Sequence, residues 1–284
     1  MALPAPCAWV CIVQNVPVPH ALAIDLAQWR SEGSPPREPT RWHRDSWHRR
    51  LPAHSALSES LPLLLDRDTV TVHAQDVSGP EAAIRAFVAA MVWGYGPSGY
   101  GPYRTNRVLE SNPDAPRRLL DTAEAVRERG PLAGFDVLAA APLKYLGVAF
   151  STKYLYYCSR AVSHLHDGRT APILDSVMSR WMSSHAGVTF ALTHDRDGYR
   201  RYVTLLEQWG AVLDLRADVV EERIYVSALG QRSLAPTAAG RPAEHTAHKA
   251  LTQLAAALDA LGLGNDARTE LDSLEHLLTA RTTP

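Results

Sequence analysis

Apolar residues recur at intervals of three and four along most of the chain beyond position 80, which is the period of an amphipathic helix. A similar stretch, VPHALAIDLAQWR, precedes the breaker run SEGSPPREP and predicts a helix near the N-terminus. Apolar and polar residues alternate in DTVTVHAQ, at 68–75, which predicts one short strand. The protein is expected to be mainly α, with helices predicted at 81–93, 114–129, 131–141, 151–163, 175–184, 196–209 and 216–227.

Changes in composition divide the chain into three regions. Residues 1–80 are expected to form a small N-terminal subdomain that contains the short strand, and residues 81–230 the helical core. The last region, 231–284, begins with a linker rich in proline, alanine and glycine and continues with two amphipathic segments. In the first region, RWHRDSWHRR is expected either to follow DNA phosphates or to form an exposed basic loop whose tryptophans enter the core.

Composition narrows the class of protein. With 46% hydrophobic and 21% charged residues, the 284-residue chain is expected to be a soluble, packed protein, and we expect a monomer. The net charge of −1 means that any binding of nucleic acid must rest on a local basic patch. No segment resembles a secretion signal or approaches the roughly 20 apolar residues of a membrane helix. The three cysteines are sparse, which favours a cytoplasmic location.

Lys153 lies in AFSTKYLYYCS, two residues after a serine and at the start of an aromatic run. With Ser151 as the N-cap, the lysine would occupy the first turn of a helix, beside the positive end of the helix dipole. That position and burial would both lower the pKa of the lysine and favour a neutral, nucleophilic amine. The alternative is a surface lysine whose aliphatic stem lies along the helix.

Asp175 opens the next predicted helix, in GRTAPILDSVMSRWM. Aspartate is a preferred N-cap residue, so this position has a structural explanation that requires no chemistry. A lysine at one helix start and an aspartate at the next are nevertheless a pair of groups that could act together on a substrate.

Three motifs follow one another over residues 91–182: VWGYGPSGYGPYR, GVAFSTKYLYY and APILDSVMSRWM. They resemble the helix-hairpin-helix DNA glycosylases, and more closely the bacterial branch with the 8-oxoguanine-DNA-glycosylase fold, which includes anti-phage enzymes. The resemblance does not cover the first 80 or the last 50 residues. Gly147 and Lys153 are six positions apart, whereas the hairpin motif G-V-G-x-K separates them by about four.

The resemblance implies an active site in which Lys153 attacks the sugar C1′ and forms a Schiff base, which would allow strand cleavage. Asp175 would remain ionised, assist deprotonation of the lysine and stabilise the cationic sugar. DNA contacts are expected from Gly147, Ser151, Thr152, Arg104 and Arg107. The base pocket is expected to include Trp93, Tyr95, Tyr100 and Tyr157, although the first motif also fits a glycine and proline turn. His164 and His166 have no third ligand nearby, so neither a metal nor another cofactor is expected.

The resemblance implies that the partner is double-stranded DNA with a modified base. We prefer a hypermodified phage base, such as glucosylated 5-hydroxymethylcytosine, as the substrate, because the chain lacks the G-V-G-x-K hairpin usual in repair enzymes. The alternatives are excision of 8-oxoguanine in repair and DNA binding without catalysis. A helical interaction scaffold would fit the near-neutral charge but would leave the three motifs unexplained.

Overall fold

The structure is a computed structural model that describes residues 16–234. The predicted C-terminal amphipathic segments, Cys7 and Cys11 lie outside the described residues. The described chain is mainly α, as expected, with twelve α-helices. They are α1 His20–Ser31, α2 Arg44–Arg50, α3 Ser55–Ser60, α4 Arg67–Gln75, α5 Pro80–Tyr95, α6 Tyr100–Ser111, α7 Ala115–Arg129, α8 Pro131–Ala140, α9 Val148–Ala161, α10 Ser176–Ala186, α11 Arg196–Leu213 and α12 Ala217–Leu234.

The strand predicted at 68–75 is wrong, because this segment is helix α4. The Asp66 side chain caps the helix by accepting a hydrogen bond from the Thr69 backbone N–H at 2.7 Å. Val70 and Ala74 then face the core at a spacing of four, whereas Val72 is 60% exposed. Residues 1–80 do contain a short antiparallel ladder, which joins β1 Thr40–Arg41 to β2 Leu64–Leu65.

The run RWHRDSWHRR contains helix α2, where a loop was one expectation. The indole rings of Trp42 and Trp47 are both buried in the core. The glycine and proline run that follows α5 also becomes helical, in α6. Pro102 is compatible with α6 because it lies in the first turn, where a backbone N–H has no partner within the helix.

Helices α8 and α9 form a hairpin joined by residues 141–147. The buried side chain of Asn112 fastens this loop: it accepts a hydrogen bond from Lys144 N at 2.9 Å and donates one to Lys144 O at 3.1 Å. Gly134 of α8 allows close packing, since a Cβ there would lie 2.7 Å from a methyl carbon of Leu155 in α9. The hairpin therefore holds the start of α9 in a defined place.

Ser151 is not the N-cap of α9, which begins at Val148 after Gly147. The Ser151 hydroxyl donates a hydrogen bond to Val148 O, and the backbone N–H of Ser151 donates to Gly147 O at 3.0 Å. Lys153 is therefore the sixth residue of the helix. Because the dipole acts mainly within the first turn, it is not the reason for the special environment of this lysine.

Candidate active site

The structure brings Lys153 of α9 and Asp175 at the start of α10 together. Lys153 Nζ lies 3.3 Å from Asp175 Oδ2 and 3.3 Å from the backbone oxygen of Ala149. The side chains are only 10% and 13% exposed, so the ion pair is largely withdrawn from water. Salt in solution therefore screens this pair less than it screens an exposed pair.

Asp175 has two structural duties that orient its carboxylate. One oxygen, Oδ1, accepts hydrogen bonds from the backbone N–H groups of Val177 and Met178, at 2.9 and 3.2 Å, and caps α10. The other oxygen is the one that faces Lys153. The positive end of the α10 dipole favours a negative charge at this position. The capping role expected from the sequence thus leaves one carboxylate oxygen directed at the lysine.

The segment before Asp175 is fixed by three buried side chains. Tyr199 donates to Pro172 O at 2.8 Å, and Tyr202 donates to Ile173 O at 2.7 Å. The Thr152 hydroxyl accepts a hydrogen bond from the backbone N–H of Leu174, at 3.2 Å. These bonds hold the segment against α9, so the position of the carboxylate relative to the lysine follows from the packing of α9 and α11.

The aliphatic stem of Lys153 crosses helix α5 at Gly94. A Cβ on Gly94 would lie 2.7 Å from Lys153 Cδ and 3.1 Å from the ring of Phe150, so a side chain at this position would displace the lysine. Lys153 Nζ lies 5.1 Å from the centre of the Phe150 ring, which in turn stacks on Tyr95 at 3.9 Å. One side of the lysine therefore faces the stacked rings of Phe150 and Tyr95.

The four residues expected to form a base pocket fall into two groups. Trp93 packs edge-to-face against Tyr157, which lies one turn after Lys153, with ring centres 5.5 Å apart. Tyr95 packs edge-to-face against Tyr100 at 6.4 Å, on the side of Phe150, one turn before the lysine. Trp93 and Tyr157 are buried, and the Tyr157 hydroxyl has no hydrogen-bond partner among the described residues.

Comparison with protein families identifies the chain. A family model described as "Putative 8-oxoguanine DNA glycosylase OGG-like protein" matches residues 33–225. The chain belongs to this family. No curated protein and no solved structure matches it. Membership confirms the resemblance found in the three motifs, extends it to both sides of them, and indicates a DNA glycosylase that acts on DNA.

In this OGG-like chain the two arginines expected to contact DNA meet the hairpin loop. Arg104 donates through Nε to Tyr145 O at 2.9 Å, and its guanidinium lies 5.3 Å from the Tyr145 ring. Arg107 donates to the Tyr145 hydroxyl at 3.1 Å and lies 4.1 Å from the same ring. Tyr145 is 40% exposed and has a φ of +67°, in the left-handed region. Two cations and an exposed aromatic ring therefore share the hairpin surface.

The hairpin residues expected to contact DNA differ in their exposure. Gly147 is exposed at the start of α9, whereas the side chains of Ser151 and Thr152 are completely buried. Ser151 Oγ lies 3.1 Å from His194 Nε2, and Thr152 Oγ1 donates to Val148 O at 2.7 Å. The hydroxyl groups of Ser151 and Thr152 therefore serve the packing of the hairpin and are not on its surface.

A buried polar network lies next to this site. Arg67 forms ion pairs with Glu221 at 2.7 Å and Glu222 at 3.1 Å, and its guanidinium lies over the ring of Tyr156. Burial raises the pKa of Glu221; Arg67 opposes this shift, and the nearby charge of Asp175 adds to it. The charge of Asp175 therefore extends to the buried carboxylate of Glu221 on α12.

Several residues of the site were missed in the sequence. Gly94 and Phe150 lie inside the first and second motifs. Phe150 could have been found from its spacing of three to Lys153 within α9, whereas Gly94 lies in α5 and has no such signal. Among residues 16–234, no helix is long and apolar enough to cross a membrane and no three metal-ligating side chains cluster.

Proposed function

We propose that this protein excises a modified base from double-stranded DNA by attack of the Lys153 amine on the sugar C1′. The observation that supports this proposal best is the withdrawn pair in which Lys153 Nζ lies 3.3 Å from Asp175 Oδ2. A carboxylate at this distance can accept a proton from the ammonium group and thereby release a nucleophilic amine. An exposed lysine with a flexible partner would not be positioned in this way.

The reaction begins when Asp175 takes a proton from Lys153. The nitrogen lone pair forms a bond to C1′ as the glycosidic bond breaks, and the base leaves with the bonding electron pair and takes the proton from Asp175. The Asp175 carboxylate restored in this way faces the positive charge on the sugar. Transfer of a further proton from nitrogen to O4′, with opening of the sugar ring, gives a Schiff base. Strand cleavage can follow from that intermediate.

DNA is held by the hairpin surface in this proposal. Arg104 and Arg107 pair with backbone phosphates, and the start of α9 at Gly147 presents backbone N–H groups to a phosphate. Tyr145 contacts both arginines and is exposed enough to pack against the sugar and phosphate chain. The local basic patch compensates for a net charge of −1.

For the substrate we prefer a hypermodified phage base, such as glucosylated 5-hydroxymethylcytosine, in defence against phage. The departure of the hairpin from the spacing usual in repair enzymes supports this choice, since Gly147 and Lys153 are six positions apart. The second candidate is 8-oxoguanine, which the description of the family favours. Duplexes bearing each base, with unmodified duplexes as controls, should separate the two by the abasic sites that they yield. Excision of 8-oxoguanine and of no phage base would overturn the preference for a phage base.

The nucleophile is tested by reduction with borohydride during the reaction. Hydride converts the Schiff base into a stable secondary amine, so the wild-type protein should become covalently linked to DNA, and digestion should place the link on Lys153. The chain has three lysines, of which Lys144 is exposed on the hairpin loop. Lys144→Arg should still be trapped, whereas Lys153→Gln should not. Absence of trapping with continued base release would overturn the Schiff base but not excision.

A further inference from the structure

Arg37 lies in the segment between α1 and β1 and packs its guanidinium against two aromatic rings. The Cζ atom is 5.2 Å from the centre of the Trp93 ring and 4.7 Å from the centre of the Tyr225 ring. Arg67 also approaches Trp93, at 5.8 Å, but its charge is balanced by two carboxylates of α12. Within residues 16–234, Arg37 forms no ion pair. Among these residues the half-buried guanidinium contacts the Trp93 and Tyr225 rings, and it also forms a hydrogen bond with the Tyr225 side chain.

The aromatic neighbours of Arg37 connect it to the active site. Trp93 packs on Tyr157, one turn after Lys153. Burial raises the pKa of Tyr157, while the charges of Arg67 and Arg37 oppose this shift. Burial also raises the pKa of Tyr225; Arg37 opposes the shift and the Asp175 charge adds to it. The charge of Arg37 therefore affects the pKa of both Tyr157 and Tyr225, and the charge of Asp175 also affects that of Tyr225.

We propose that Arg37 recognises the flipped base and determines which base is excised. This inference rests on the proposed function and adds a specificity residue to it. A guanidinium offers several N–H donors in a rigid planar fork, which can bind two neighbouring acceptors on one edge of a base. The Trp93 and Tyr225 rings hold the guanidinium in place. The substrate class is a base whose exposed edge carries adjacent acceptor atoms.

A structural role for Arg37 is the alternative. It could fasten the segment between α1 and β1 to the core through its two ring contacts alone. Such a role would affect folding and all DNA substrates alike. Recognition of a base would affect only DNA that carries the base. An abasic duplex separates these two cases, because it offers the same backbone without a base to recognise.

The test measures two quantities on the full chain: kcat/KM for excision of the base that the wild-type protein removes, and Kd for an abasic duplex. In Arg37→Ala, kcat/KM should fall about 10- to 100-fold, the effect of one bidentate contact, and Kd should change less than twofold. Arg37→Lys keeps the charge without the fork and should lose most of the same activity. Arg129→Ala, which removes an exposed arginine at the end of α7, should change neither quantity.

The inference is overturned if Arg37→Ala excises the base at the wild-type rate, or if excision and abasic binding fall by the same factor. If Arg37→Ala does not fold, Arg37→Lys decides, and full activity in that variant overturns the inference. Failure of the proposed function has a different signature. In that case the wild-type protein itself produces no abasic sites in any modified duplex and forms no link to DNA with borohydride.

Discussion

The side chain of Lys153 passes over the bare backbone of Gly94, where a methyl group would lie 2.7 Å from Lys153 Cδ. This contact is closer than a real Cβ tolerates, so the course of the lysine across α5 requires a residue without a side chain at position 94. The position of the amine relative to Asp175 is therefore determined from both sides, by the capped carboxylate on α10 and by the gap on α5.

Gly94→Ala should displace the lysine while the protein stays folded. Alanine favours a helix more than glycine by about 1 kcal/mol, which offsets part of the local strain. A shift of about 1 Å in a reacting group can reduce the rate about 100-fold, so we expect borohydride trapping to slow at least tenfold. Gly99→Ala is the control, because a Cβ there meets no atom within 4 Å. Equal trapping by wild type and Gly94→Ala would contradict this account.

Asp175→Asn should separate the two duties of this residue. Asparagine caps helices about as well as aspartate, so the capping of α10 should be retained. The amide cannot accept the lysine proton as a carboxylate does. We therefore expect DNA binding to persist while excision slows by about 100-fold or more. Asp195→Asn is the matched control, since Asp195 caps α11 through the backbone N–H of Asp197. Comparable loss of activity in both variants would point to capping as the cause.

Two buried tyrosines of α9 should respond differently to loss of the hydroxyl group. Tyr154 donates to Leu119 O at 2.9 Å, so Tyr154→Phe should lower the free energy of unfolding by about 1 kcal/mol. The Tyr157 hydroxyl is buried without a partner among the described residues, so Tyr157→Phe should be neutral or raise it by up to about 1 kcal/mol. Urea unfolding of both variants measures this difference. A similar destabilisation in the two would mean that the Tyr157 hydroxyl is bonded.

Acidification should destabilise the protein through His194. Burial lowers the pKa of this histidine below its ordinary value of 6.5. The unfolded chain therefore binds more protons than the folded protein as the pH falls below about 6.5, and stability is lost in that range. The urea concentration at the midpoint of unfolding should decrease as the pH is lowered from about 7.5 to about 5, and His194→Gln should reduce this decrease. Burial also lowers the pKa values of His54 and His73, so part of the decrease should remain in the variant. An unchanged pH dependence in His194→Gln would exclude this residue as a source.

Arg104→Ala should weaken binding to all duplexes alike, whether or not they carry a modified base. Each phosphate contact contributes about 0.9 to the slope of log K against log salt, so loss of one contact should reduce the slope by about that amount. Titration of an unmodified duplex at several salt concentrations measures this slope. Arg129→Ala should leave the slope unchanged. If Arg104→Ala alters discrimination between bases but not the slope, the arginine contacts a base and not a phosphate.

Much of the fold was predictable because apolar residues recur at helical spacing along most of the long helices. The helices expected at 114–129 and 131–141 differ from α7 and α8 by a single residue at one end. The errors fall where a short pattern has two interpretations. Alternating valines and threonines at 68–75 fit a strand, but the Asp66 cap selects a helix. Ser151 could cap a helix, but α9 starts earlier, at Val148, and buries the serine in its interior.

The sequence by itself determined the helical character of the chain, its family and the capping role of Asp175, because these depend on residues within a few turns or on motifs with defined spacing. Only the tertiary structure decided that Lys153 and Asp175, 22 residues apart, lie 3.3 Å from each other. It also placed Gly94 under the lysine and Arg37 against Trp93 and Tyr225. Such contacts join distant segments, and they arise from the packing of whole helices, which no local pattern encodes.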